Sequence, residues 1–189
     1  MDIIETSLAG VLILQPKVFG DDRGFFMETW NERLFAGIGI EGPFVQDNHS
    51  RSAQNVVRGL HYQLPNPQGK LLRCVAGSLY DVAVDIRRGS PAFGRWTGVE
   101  LSADNKRMVW IPPGFAHGFC VTSAWGELVY KCTTFWEPAS DRGIAWDDPD
   151  LGIDWPLRGE ALLSAKDRLA PRLRDAPVLP DFPGPEPRP

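Results

Sequence analysis

Along most of the chain, short runs of Val, Ile, Leu and aromatic residues alternate with clusters of Gly, Pro, Asn and Asp. Period-two alternation between such turn clusters predicts strands. Residues 11–19 read as a strand, Gly20-Asp21-Asp22 as a turn, and 25–30 as a second strand. Residues 31–36 have room for one or two helical turns. Residues 44–50 and 55–63 are the next extended segments, and the two prolines in 64–69 cannot continue a sheet interior. Residues 71–75 and 79–86 flank Ala76-Gly77-Ser78, a hairpin signal. Further strands are predicted at 96–101, 106–111, 117–122 and 127–135. They are separated by 102–105, the sharp Pro112-Pro113-Gly114 turn and 123–126. No apolar helical period persists before about residue 161, and only a short helix is predicted near 164–168. Many short strands at regular spacing predict an all-β antiparallel fold, closed or in two sheets.

A chain of 189 residues has room for one core. One domain is expected over 1–170, followed by a proline-rich tail, 171–189, that is extended or disordered. The net charge of −4 argues against a nucleic-acid backbone as general partner. Asp2 and Glu5 stand where a leader would carry basic residues, and no apolar stretch has membrane-spanning length. Cytoplasmic location without membrane attachment is the expectation. Cys74, Cys120 and Cys132 are odd in number, widely spaced and set in apolar runs, as reduced core cysteines are.

Certain polar residues do not suit a plain barrel core. In 79–86, alternation puts Tyr80, Val82, Val84 and Ile86 on a core face and Leu79, Asp81, Ala83 and Asp85 on the other. That second face either meets solvent, the ordinary fate of carboxylates, or lines a cavity. The densest polar cluster is Arg58-Gly59-Leu60-His61-Tyr62-Gln63. Strict alternation separates Arg58 from His61, whereas a bulge at Gly59 brings them to one side. Gln46 and Asn48 share a face of the preceding segment, Lys70 opens the next strand, His117 follows the Pro-Pro-Gly turn, and Tyr130 sits mid-strand. Taken singly, each histidine reads as a hydrogen-bonded structural residue. Cationic and titratable groups gathered inside one small barrel are costly unless they meet a ligand.

Pro112-Pro113-Gly114-Phe115-Ala116-His117 fits the second motif of the cupin barrels. The first would supply His-x-His and then Glu, roughly three histidines and a carboxylate for a metal. Here the positions read His61-Tyr62-Gln63 and, where Glu is wanted, Lys70, whose ammonium repels a divalent ion. No metal site is expected.

Several segments together carry a family likeness. They are Asp22-Arg23-Gly24 with Phe26 and Glu28, Gln46-Asp47-Asn48-His49-Ser50, Arg58-Gly59-Leu60-His61-Tyr62-Gln63, and Gln68-Gly69-Lys70. Asp81-Val82-Ala83-Val84-Asp85, Gly114-Phe115-Ala116-His117, Tyr130-Lys131 and Ser164-Ala165-Lys166-Asp167 complete the set. In this order and spacing, from about residue 10 to about residue 170, the chain resembles the dTDP-4-dehydrorhamnose 3,5-epimerase family. The resemblance implies a cofactor-free isomerase on a jelly-roll (cupin) barrel. It would act on a dTDP-4-keto-6-deoxy sugar, inverting C3 and C5 of dTDP-4-dehydro-6-deoxy-D-glucose to give dTDP-4-dehydro-L-rhamnose. A relative that inverts one centre only would carry the same residues.

The resemblance also implies a homodimer in which the N-terminal region of one subunit completes the other's site. It casts His61 as base, Asp167 as its carboxylate partner, Tyr130 as acid on the opposite sugar face, and Lys70 near the C4 oxygen. Arg58 and Lys166 would hold the diphosphate, and Gln46 and Asn48 the nucleotide or sugar. Arg23, Phe26 and Glu28 would come from the other subunit, and His117 with Asp81 would form a second polar pair beside the pocket. Phe135-Trp136 departs from the family's tyrosine pair, and the tail after Pro171 lies outside the pattern.

Overall fold

The computed structural model describes residues 1–184, built mainly from antiparallel strands. One sheet holds β1 (Asp2–Glu5), β2 (Leu12–Gln15), β5 (Gln46–Ala53), β7 (Lys70–Ala76), β10 (Met108–Ile111) and β12 (Trp125–Cys132). Their spatial order is β1-β2-β10-β7-β12-β5. The second sheet holds β6 (Val57–Gln63), β8 (Ser78–Asp85), β9 (Trp96–Ser102), β11 (Phe115–Val121) and β13 (Asp141–Gly143), in the order β13-β6-β11-β8-β9. A separate hairpin pairs β3 (Val18–Asp21) with β4 (Gly24–Met27). From β5 to β13 the chain changes sheet at every step except β8 to β9, which is the winding of a jelly roll.

That winding corrects two expectations. Ala76-Gly77-Ser78 is not a hairpin: β7 pairs with β10 and β12, and β8 with β9 and β11. Gly77, at φ +69°, turns the chain from one sheet to the other. The corner is tied to its neighbours when Ser78 N donates to Ser123 Oγ and Ala103 N donates to Gly77 O. The strand expected over 11–19 is two. Pro16 has no N–H to give a ladder, so β2 stays in the large sheet while β3 leaves it.

Three apolar layers hold these sheets. Leu72, Val109 and Leu128 from the large sheet meet Leu79, Val99 and Phe119 from the small one inside the barrel. The outer face of the large sheet, with Leu14, Leu71, Met108 and Trp110, is covered by Phe35 of α1 (Glu32–Ala36) and by Ile40. Asn31 caps that helix, its side chain accepting from Leu34 N at 3.2 Å.

The outer face of the small sheet, with Tyr62, Val82, Val84 and Ile86, is covered by Ile144, Leu151, Leu173 and Leu179. Both faces of β8 are therefore buried, and the solvent alternative for its carboxylates fails: Asp81 is 2 % exposed and Asp85 0 %. Asp85 is held away from the cavity by Arg87 Nη2 at 2.7 Å and Ser90 Oγ at 2.6 Å.

Residues 171–184 run largely extended across this layer, with one 3-10 turn at Leu173–Asp175. Tyr62 Oη donates to Val178 O at 2.7 Å, and Arg88 N donates to Pro180 O at 2.8 Å. Residues 185–189 of the expected tail lie outside the described residues.

The bulge at Gly59 is present. His61 pairs with His117 and Arg58 with Phe119, so Gly59 and Leu60 together oppose Gly118. Arg58 and His61 consequently face the same side. Gly59 sits at φ +128°, and a Cβ there would lie 2.5 Å from Gly118 Cα. Gly59→Ala is expected to cost about 3 kcal/mol, from positive φ and backbone overlap together. Urea unfolding would register this as a lower midpoint with an unchanged slope.

Candidate active site

The open end of the barrel contains a cavity of about 480 Å³ lined by Arg58, His61, Lys70, His117, Tyr130 and Asp167, among others. A second lobe of about 360 Å³, with Gln46, Asn48, Gln68 and Trp136 on its walls, shares His61, Lys70, Tyr130 and Lys166 with the first. The two lobes meet at these four side chains.

The sheets supply opposite walls. On the large sheet, the inward row of β5, β12 and β7 places Asn48 beside Tyr130, and Gln46 and Lys70 either side of Cys132. On the small sheet, β6 and β11 place His61 beside His117, and His117 Nε2 meets Asp81 Oδ2 of β8 at 2.8 Å. His61 and Tyr130 thus belong to facing sheets.

The carboxylate partner of His61 comes from outside both sheets. Ser164 caps α2 (Ala165–Arg168), accepting from Asp167 N at 3.1 Å, and Asp167 Oδ1 lies 2.6 Å from His61 Nε2. The Asp167 side chain is 4 % exposed, whereas His61 remains 32 % exposed toward the cavity. Burial works to raise the Asp167 carboxyl. The hydrogen bonds from His61 and Ser164 and the charges of His61 and Lys166 outweigh it, holding the group below its ordinary value. With Nε2 bound to Asp167, Nδ1 is the basic nitrogen of His61.

Burial also shifts the surrounding groups. It lowers Lys70, against the pull of Cys132, Asp81 and Asp141. It lowers His117 against the charge and hydrogen bond of Asp81, which leaves a neutral imidazole near pH 7. It raises Tyr130, keeping the phenol protonated.

Around this centre, Arg58 Nε donates to Ser52 Oγ at 3.0 Å, and Lys166 Nζ is paired with Asp141. Gln46 Oε1 accepts from Trp136 N at 2.8 Å, and Gln46 Nε2 donates to Asn48 Oδ1 at 3.0 Å. Gln63 clamps the irregular segment that follows β12, its Nε2 donating to Phe135 O and its Oε1 accepting from Glu137 N.

Arg23, Phe26 and Glu28 are not brought to this cavity. They lie on or beside the β3–β4 hairpin, where Arg23 is 90 % exposed and pairs with Asp21 at 2.5 Å. Glu28 accepts from Asn31 Nδ2 at 3.1 Å.

The sequence reading missed Arg168, Leu162 and Leu163 on the cavity wall. It also missed Ser52, which was legible as the continuation of the inward row Gln46, Asn48, Ser50. Among the described residues, no three His, Cys, Asp or Glu side chains converge as a metal site requires. The three cysteines are free and buried. No helix of the described residues is long and apolar enough to cross a membrane.

The arrangement offers a carboxylate-backed imidazole on one wall, and a protonated phenol with a lysine amine on the other. That is equipment for removing a proton beside a carbonyl and returning one from the opposite side.

Comparison with known proteins agrees. The family model described as dTDP-4-dehydrorhamnose 3,5-epimerase matches residues 5–175. The dTDP-4-dehydrorhamnose 3,5-epimerase of Pseudomonas aeruginosa is 54 % identical over 181 residues, covering 95 % of this chain and all of that protein. Among solved structures, the dTDP-6-deoxy-D-glucose-3,5-epimerase of Legionella pneumophila, in complex with dTDP-4-keto-L-rhamnose, superposes with a TM-score of 0.93. It is 50 % identical and covers 96 % of this chain and 98 % of its own. A 3'-monoepimerase from Streptomyces bikiniensis in complex with dTDP-quinovose gives a TM-score of 0.88 at 35 % identity, over 93 % of this chain and 91 % of its own. The chain belongs to the dTDP-4-dehydrorhamnose 3,5-epimerase family.

Proposed function

We propose that this protein is an isomerase that converts dTDP-4-dehydro-6-deoxy-D-glucose to dTDP-4-dehydro-L-rhamnose by inverting C3 and C5. The observation that carries the reading is the placement of the His61–Asp167 pair and Tyr130 on facing walls of one cavity, with Lys70 on the Tyr130 wall. C3 and C5 both flank the C4 ketone, so a proton can leave either as an enolate forms. His61 takes it, Asp167 stabilises the imidazolium, and Lys70 offsets the charge growing on the C4 oxygen. Tyr130 returns a proton from the other face. Arg58 and Lys166 bind the diphosphate, and the second lobe, with Gln46, Asn48 and Trp136, takes the nucleoside end.

No net oxidation occurs, so the steps need no redox cofactor. Exhaustive chelation is expected to leave turnover unchanged, and a metal-restored loss would overturn that part. Incubation with dTDP-4-dehydro-6-deoxy-D-glucose in deuterated water, with product stereochemistry read by NMR, tests the whole reading. Inversion and deuterium at both centres are expected. A product inverted at C3 alone would instead support the single-centre reading, which the likeness to a 3'-monoepimerase motivates.

The working unit is a two-fold homodimer. Phe19, Phe25 and Phe26 are 55, 59 and 71 % exposed on a hairpin that packs into neither sheet of its own subunit. Such an apolar group fits a protein partner, and a neighbouring subunit's cavity is the place where Arg23, Phe26 and Glu28 would serve. Phe26→Asp is expected to weaken the dimer in sedimentation and raise KM. Retention of both wild-type assembly and wild-type KM would exclude this role.

A further inference from the structure

Asp167 reaches His61 from a segment that belongs to neither sheet, so something must fix that segment's register. The only polypeptide between β5 and β6 is a tight turn, and Asn55 occupies it in the left-handed region, at φ 62°. An asparagine tolerates that conformation at low cost. Its backbone N donates to Val121 O at 3.0 Å, which locks the turn to the end of β11. Its remaining polar groups point to the other segment. Asn55 Oδ1 accepts from Arg158 N at 3.0 Å, and Asn55 O accepts from Leu162 N at 2.9 Å. Val57 N then donates to Leu162 O at 3.0 Å, completing a short parallel bridge at residues 56 and 162. Gly159 lies against the same side chain, since a Cβ built there would sit 3.1 Å from Asn55 Nδ2. Only Leu163 separates the anchored Leu162 from Ser164, whose hydroxyl caps α2 and accepts from Asp167 N.

We propose that Asn55 is a positioning residue for the His61–Asp167 pair: by pinning residues 158–162 to the β5–β6 turn, it sets where Asp167 meets the imidazole. The role rests on the function proposed above, because it matters to the reaction only if His61 is the base. A 2.6 Å hydrogen bond to a half-open histidine leaves little tolerance for a segment that slides. Backbone pairing with Leu162 alone fixes one point. The Asn55 side chain adds a second, four residues earlier, and two points define a direction.

Asn55→Gly keeps the left-handed turn and removes only the side chain. Exchange of the C3 and C5 protons is expected to slow about tenfold. Asn55→Asp keeps an acceptor for Arg158 N and is expected to restore most of the rate. If the effect runs through Asp167, Asn55→Gly combined with Asp167→Asn is no slower than Asp167→Asn alone. Multiplied effects would show an independent, merely structural role and overturn the proposal. The second readout needs no turnover. The low-field proton on His61 Nε2 is expected to broaden or shift upfield in Asn55→Gly and to persist in Asn55→Asp. An unaltered resonance in Asn55→Gly would overturn the positioning role even in an active enzyme. A lost resonance in a protein with no epimerase activity would instead fault the function and keep the positioning. Should Asn55→Gly fail to fold, Gly159→Ala crowds the same contact from the other side. It is expected to disturb the resonance in the same direction, and an unchanged resonance there would equally overturn the proposal.

Discussion

His61→Ala is expected to abolish proton exchange at both C3 and C5, a loss of roughly a thousandfold or more, the scale of a general base. The size of the effect follows from the surroundings. Both positions acidified by the ketone need a base before any enolate can form. His117, the other cavity imidazole, is 7 % exposed and bound through Nε2 to Asp81. It pairs across the ladder with Ala83 of β8, so its ring cannot swing over the sugar without breaking a buried pair. Lys70 is lowered by burial, but in the proposed mechanism it is committed to the oxygen on which the charge collects. No second base therefore takes over. Asp167→Asn is expected to be milder, about a hundredfold, because an amide still touches Nε2 but neither fixes the tautomer nor stabilises the imidazolium. Deuterium incorporation at each carbon separates the cases. Exchange at C3 surviving in His61→Ala would mean that a different group serves that centre, and the shared-base assignment would be wrong.

Much of this was legible in the sequence, and the illegible part has a physical cause. Strand content, the inward row Gln46, Asn48 and the Gly59 bulge follow from two-residue periodicity and from a glycine where alternation fails. Sheet assignment is not a local property. Ala76-Gly77-Ser78 has hairpin composition, yet it turns a corner between sheets because Ser123 and Ala103 take the bonds a hairpin partner would have made. Asp81 and Asp85 share a face and are indistinguishable by period. Arg87 and Ser90 make one a structural ion pair, and His117 makes the other part of the site. The stretch after Pro171 looks unstructured by composition, yet Leu173 and Leu179 find a sheet face there that the strand pattern of β8, apolar on both sides once Asp81 and Asp85 are paired, leaves open. Asp167 could be placed beside His61 only through family likeness, since 106 residues separate them and no periodicity links a capped turn to a strand.

Tyr130→Phe is expected to part the two events that His61→Ala removes together. The ring stays, with its packing against the barrel core, and only the hydroxyl goes. His61 on the facing sheet can still take a proton and give it back from the same side, so exchange at C3 and C5 continues. Return from the opposite face loses its donor, and inversion is expected to fall about a hundredfold or more. Burial raises the Tyr130 pKa, so in the wild type the phenol keeps its proton near neutrality, as the proposed donor to an enolate, a far stronger base than a carboxylate, must. The charge of Arg58, on the other wall, opposes that rise and would favour a phenolate in the proposed role. Exchange and inversion followed together in deuterated water decide the matter. Deuterium entering with retained configuration supports the division between the two walls. If Tyr130→Phe lost exchange as completely as His61→Ala, the phenol would be needed to form the enolate, and the opposite-face role would be wrong.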